Sequence, residues 1–137
     1  INLRTNIIFS CLFLGLLFTG YNTSLKSSIF ASEVDILTRA MPVKTIEEIE
    51  QNHTRISLTI NVSTPNPCWE FHEAQVVRSG NEVWVKIIGA IEEDINCIQI
   101  LGEFTTSVVI TFSSPGDYLV HFWKSDTTSI DTSVSVE

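Results

Sequence analysis

The run Arg55-Ile56-Ser57-Leu58-Thr59-Ile60-Asn61-Val62 alternates apolar and polar side chains without a break. Successive side chains of a β-strand point to opposite faces, so Ile56, Leu58, Ile60 and Val62 share one face while Ser57, Thr59 and Asn61 share the other. A helix would send the same four apolar residues to both sides of its axis. The run therefore predicts a half-buried strand. Ser63-Thr64-Pro65-Asn66-Pro67 ends it, because proline has no N–H to feed a ladder.

The period of two continues downstream. In residues 69–78, Trp69 and Phe71 fall on one face and Ala74 and Val76 on the other, which predicts a β-bulge near Glu73. Ser79-Gly80-Asn81 reads as a hairpin loop with glycine where φ must be positive. Val83, Val85 and Ile87 then point one way, and Trp84, Lys86 and Ile88 the other. Glu92-Glu93-Asp94 is an acidic turn, followed by a short strand over residues 97–101. Thr106, Val108, Ile110 and Phe112 resume the alternation up to Ser113-Ser114-Pro115-Gly116. Tyr118, Val120 and Phe122 face inward on the next strand, and Ile130, Val134 and Val136 mark a last edge strand. About seven short strands separated by turn residues predict an all-β, antiparallel β-sandwich over residues 56–137. No segment keeps a helical period long enough for a βαβ unit.

Upstream the text changes. Residues 32–55 read as a linker or short helix: Ile36, Leu37 and Met41 form a weak apolar patch that Pro42 breaks. Thr45-Ile46-Glu47-Glu48-Ile49-Glu50 then offers a threonine N-cap with acids in the first turn. Residues 1–31 read as a signal peptide. Arg4 precedes the apolar run Ile7-Ile8-Phe9-Ser10-Cys11-Leu12-Phe13-Leu14-Gly15-Leu16-Leu17-Phe18, and the next charge is Lys26. Cleavage is expected after Ala31. The alternative is an uncleaved anchor, since the uncharged stretch is close to the ~20 residues that span a bilayer. Either way the expected location is secreted or in the cell envelope, with membrane contact only through that segment.

Composition narrows the function. A chain of 137 residues with 44% hydrophobic and 18% charged side chains has the apolar content of one folded domain and not of a disordered one. Sixteen acids against eight bases leave a net charge of −8, and all sixteen acids lie beyond residue 32. Displacing phosphate counterions needs a surplus of Lys and Arg, so nucleic acid is excluded as a partner. Beyond Cys11, inside the apolar run, the cysteines are Cys68 and Cys97. A lone pair in an exported domain is expected to form a disulfide, and no Cys-x-x-Cys redox motif is present.

The stretch Pro115-Gly116-Asp117-Tyr118-Leu119-Val120-His121-Phe122 carries a Pro-Gly-x-Tyr-x-Val-x-Phe pattern. It resembles the penultimate strand of extracellular immunoglobulin-like and fibronectin-type modules. With the Asn66-Pro67-Cys68 start and a second cysteine about thirty residues on, the chain is similar to small exported prokaryotic immunoglobulin-like proteins of unassigned function. The resemblance implies an immunoglobulin-like sandwich with Tyr118 plugging the corner between sheets. It departs from antibody domains at Val120, where those carry cysteine, and in the short span from Cys68 to Cys97, which suits a bond tying a loop or neighbouring strands.

Chemistry-bearing residues are few. Glu70 and His72 are two apart on a strand, with Glu73 next and His121 on a distant strand, but no zinc-ligand spacing joins them. No Gly-x-Ser-x-Gly elbow occurs, and the acidic turn lacks the spacing of a calcium loop. No catalytic residue, metal or cofactor is therefore expected. Asn22, Asn52 and Asn61 open Asn-x-Ser/Thr triplets, which matter only in a host that glycosylates them. Trp84, Lys86, His121 and Trp123 fall on outward faces and are the candidate binding residues. The plainer alternative is that they pack on the linker, the last strand or each other. The expected function is a non-catalytic binding or structural module for a protein or glycan outside the cytoplasm. Two alternatives stand beside it: a hydrolase inhibitor using the loops at 63–67 and 92–96, or a small metal-binding or hydrolytic protein using Glu70, His72 and His121.

The cysteine pairing is directly testable. Thiol titration of the denatured, non-reduced segment 32–137 is expected to find no free sulfhydryl, and two free thiols would refute the bond. Closing a loop across 29 residues contributes roughly 3 to 4 kcal/mol, so Cys97→Ser should lower unfolding stability by about that amount.

Overall fold

The computed structural model describes residues 33–137, and eight strands run through them. In chain order they are β1 (Ile36–Met41), β2 (Val43–Asn52), β3 (Arg55–Thr64), β4 (Glu70–Ser79), β5 (Glu82–Glu92), β6 (Gly102–Thr111), β7 (Gly116–Ser125) and β8 (Thr128–Val136). The segment read as a signal peptide, with its cleavage site and Cys11, lies outside the described residues. Among the described residues no helix is long and apolar enough to cross a membrane.

The strands form two sheets, one of β2-β3-β6 and one in which β5 pairs with β4, β1 and β7, with β8 beyond β7. The alternation read from the sequence sets what lies between them. Ile56, Leu58, Ile60 and Val62 of β3, with Val108 and Ile110 of β6, face Val83, Val85 and Ile87 of β5 and Val120 and Phe122 of β7. All are buried. Val134 and Val136 of β8 and Phe112 close the ends of this layer. Tyr118 is half-buried and not fully enclosed; its ring lies 4.2 Å from that of Phe112 and its hydroxyl donates to the Ser114 carbonyl at 2.8 Å.

Residues 36–52 correct the expected linker or short helix: they are two strands and belong to the sandwich. β1 joins the five-stranded sheet beside β5, and β2 joins the other sheet beside β3. Pro42 marks the crossing between layers. Met41 before it and Val43 after it are both buried, so the chain changes sheets without leaving the core. The helix-like spacing of Ile46 and Ile49 has a different cause. The ladder with β3 slips between Ile46 and Glu48, so the extra residue sets Ile46 opposite Ile60 and Ile49 opposite Leu58, both inward-facing. A bulged strand thus turns two residues three apart to the same face, as a helix does, with Ile46 half-buried against the core and Ile49 exposed farther along.

Beyond Trp69, which is buried, β4 runs antiparallel to β5 with the expected irregularity, placed between Phe71 and Glu73. The β4–β5 turn is tight, with Gly80 at φ +60°. β4 overhangs: the facing sheet has three strands, so apart from half-buried Ala74 every residue of β4 is exposed. The edge residues Phe104 and Phe112 give partial cover, through an edge-on Phe71–Phe104 pair and the Arg78 guanidinium 5.3 Å from the Phe112 ring.

Residues 97–101 are not a strand, which corrects the expected one; they belong to the loop between β5 and β6. That loop is tied to the β3–β4 loop by the Cys68–Cys97 disulfide. The Asn66 side chain reinforces the tie by accepting the Cys68 N–H at 3.1 Å. Gly102 starts β6 directly beneath, where an added Cβ would lie 2.7 Å from the Asn66 carbonyl and the Pro67 Cα. Those neighbours are backbone and cannot swing aside. Gly102→Ala is accordingly expected to cost about 1 to 3 kcal/mol through overpacking, measured by denaturant unfolding, and an unchanged midpoint would show that the loop is free to move.

Candidate functional site

The outer face of the five-stranded sheet carries a groove built by strand register. Val77 and Gln75 of β4 stand opposite Trp84 and Lys86 of β5. Trp84 in turn stands opposite His121 of β7, while Asp131 and Ser129 of β8 flank His121 and Trp123. The four candidate binding residues therefore lie side by side. A gap in the sheet deepens the surface between them. β7 pairs with β5 only as far as Val85–Phe122, and β1 pairs with it only from Ile87–Met41 onward. Lys86 has a strand neighbour on the β4 side alone. The groove encloses about 640 Å³, and the turn residues Ser125, Asp126, Thr127 and Thr128 close one end. That volume falls within the range of small-molecule sites.

Its floor is polar. His121 points outward but is only 7% exposed, because the Trp84 indole lies over it with ring centroids 4.0 Å apart and planes 19° from parallel. Both ring nitrogens meet carboxylates: Nδ1 lies 2.7 Å from Asp131 and Nε2 lies 3.3 Å from Glu82. An imidazole can donate from both nitrogens only when protonated. Burial disfavours that charge, but the hydrogen bonds and charges of Asp131 and Glu82 outweigh it and hold the His121 pKa above its ordinary value. Asp131 is held below its ordinary value, by the Ser129 hydroxyl first and His121 second. Trp84 remains 46% exposed above this base, and the Lys86 ammonium lies 5.7 Å from the half-buried Trp123 ring.

The remaining candidates do not converge. Glu70 pairs with Ala90 and His121 with Trp84, six residues apart along β5, which at strand rise is about 20 Å. His72 sits exposed in the β4 irregularity. The trio of Glu70, His72 and His121 is therefore not a metal or hydrolytic centre. Among the described residues no group of three or more His, Cys, Asp or Glu side chains is arranged to hold a metal ion. Glu92, Glu93 and Asp94 are exposed at the start of the loop that bears Cys97. The loops at 63–67 and 92–96 do meet at one end of the sandwich, joined by the disulfide that follows each. Sequence reasoning missed Glu82, Asp131, Gln75 and Val77. Gln75 and Val77 reach the groove through the pairing of β4 with β5, and Asp131 and Glu82 reach His121 at its floor through the pairing of β7 with β8 and with β5.

The ion cluster has a pH signature. His121 has a raised folded-state pKa, so its share of stability is fully present below about pH 6.5 and is lost as pH rises through the folded value. Asp131 contributes in the opposite sense, and its share is lost in acid as pH falls through its lowered value. Asp131→Asn should cost about 1.5 to 3 kcal/mol near pH 6, the range for hydrogen bonds to charged groups, and less above pH 8. Proton NMR of His121 should show a midpoint above 6.5; one below it would rule out the imidazolium.

Comparison with known proteins places the chain within a family. No curated protein and no solved structure gives a significant match. A family model, the ORF11 beta-sandwich domain, matches residues 58–136. The resemblance to small exported proteins is thus supported as far as a small β-sandwich, and the match lends nothing to kinship with prokaryotic immunoglobulin-like proteins or to the Asn-Pro-Cys and Pro-Gly-x-Tyr motifs. The matched segment takes in all of β4 to β8 and hence every residue of the groove. By a match over more than half of its length, the chain belongs to the ORF11 beta-sandwich domain family.

Proposed function

We propose that this domain is a non-catalytic binding module acting outside the cytoplasm, and that it holds its partner in the groove between Trp84 and Trp123. The supporting observation is Trp84 itself. A large aromatic surface is left open to solvent while its inner face is fixed against a buried, charge-paired histidine. Open indoles in a rigid setting are the residues that most often dominate binding energy. Lys86 and the hydroxyls of residues 125–129 surround them and supply direction. The disulfide supports an oxidising compartment.

A second reading, a hydrolase inhibitor, rests on the loop at the disulfide end. Ile98, Ile100 and Leu101 are exposed there, Leu101 to 87%, on a loop held by Cys97. A tethered loop with exposed apolar side chains is suited to entering an apolar cleft.

The two readings separate by mutation. Capture of a partner from the extracellular or envelope fraction of the source should fall by about tenfold or more in Trp84→Ala and in Lys86→Ala, as for hot-spot residues, with the melting temperature lowered by only a few degrees. Capture that survives both changes but is lost in Leu101→Asp would transfer the function to the loop.

A further inference from the structure

We infer that the ligand of the groove is an uncharged saccharide, with a sugar ring stacked on the outer face of Trp84 and its hydroxyls bonded by the rim; this rests on the groove being the binding site. The first ground is the fixed orientation of Trp84. His121 cannot rotate, since Asp131 and Glu82 hold its two nitrogens from β8 and β5, and the indole lies nearly parallel to it. One indole face is used against His121, and the residue remains 46% exposed, with Val77 beside it on the β4 side. The electron-rich face of an indole suits the weakly positive C–H face of a pyranose ring.

The second ground is the rim. Gln75, Ser125, Asp126, Thr127, Thr128 and Ser129 are polar side chains that together mix donors and acceptors. Ser125 and Thr128 hydroxyls are 2.6 Å apart, and Ser129 donates to Asp131 at 2.7 Å, so the turn is internally braced. A sugar offers adjacent hydroxyls that each donate and accept, and such a rim answers them.

The third ground is what the groove refuses. Lys86 and Asp126 offset each other within it, and His121 is offset by Asp131 and Glu82, on a chain of net charge −8, so an anionic polymer is repelled overall and a neutral ligand is not. A cationic ligand would meet the Lys86 ammonium, which lines the same groove and lies over the Trp123 ring. An extended peptide that binds by adding a strand needs a free strand edge. Here β5 is paired to β4 and β7, and β7 to β5 and β8, so the free edges of β4 and β8 lie at the margins of the groove, and beneath the indole only the backbone beside Lys86 is unpaired on one side.

The test uses the full chain and neutral oligosaccharides of glucose, mannose, xylose and N-acetylglucosamine, titrated by calorimetry and indole fluorescence. One series is expected to bind with micromolar to millimolar affinity and to shift the indole emission. Affinity should drop by about tenfold or more in Trp84→Ala, less in Trp84→Phe, and measurably in Asp126→Ala. Val109→Thr, on the opposite sheet, should bind as the parent does. Oligosaccharide binding indifferent to Trp84→Ala and Trp84→Phe overturns the inference. If no series binds while partner capture still depends on Trp84, the saccharide is wrong and the groove stands as a protein site. If capture is also indifferent to Trp84, both readings fall.

Discussion

β5 divides its edges among three neighbours: β4 runs along one side, while β7 and then β1 share the other in succession. The rest of the architecture depends on that sharing. Because β7 runs parallel to β5 and β1 antiparallel, the two approach from opposite ends and cannot meet without a break. The break falls at Lys86. β1 must leave the sheet there, and it does so through Pro42 into the other layer, with Met41 and Val43 keeping the crossing dry. Gly89 accommodates the departing strand, since an added Cβ would lie 2.9 Å from the Met41 side chain.

The same break sets the groove and its electrostatics. Parallel pairing places Trp84 beside His121, and antiparallel pairing on the far side places Asp131 beside the same ring. A histidine on the outer face of a sheet is ordinarily solvated. Here the indole removes water from one side and two carboxylates replace it at the ring edge, so desolvation and charge pairing oppose each other and pairing prevails. A rigid, polar base beneath an exposed aromatic is the result. The indole is thereby ordered in advance, so a molecule stacking on it would not have to order it.

The opposite end is organised covalently. The long loop from β5 to β6 has little apolar cover, and Ile98, Ile100 and Leu101 remain outside the core. The disulfide, the Asn66 hydrogen bond and the close approach of Gly102 replace the packing that a strand would supply. The molecule therefore has two surfaces with distinct physics: a preorganised aromatic groove on a sheet face and a tethered apolar loop at a sheet end.

The sandwich itself was legible in the sequence. Alternation is a local property, and Ile56 to Val62, Val83 to Ile87 and Tyr118 to Phe122 each declare their inward face wherever the strand is placed. The outward placement of Trp84, Lys86, His121 and Trp123 follows from the same phase, as does the irregularity near Glu73. Residues 36–52 were not legible, because two bulges and a change of sheet erase the period and leave Ile46 and Ile49 at a helical spacing. The strand expected at 97–101 failed for the converse reason: its apolar residues had no partner strand to pair with. That the four outward residues meet, that Asp131 and Glu82 clamp the histidine, and that a gap opens at Lys86 are consequences of which strands pair and in what register. Those pairings join residues from 10 positions apart, as His121 and Asp131 are, to 46, as Met41 and Ile87 are, and only the closed tertiary structure decides them.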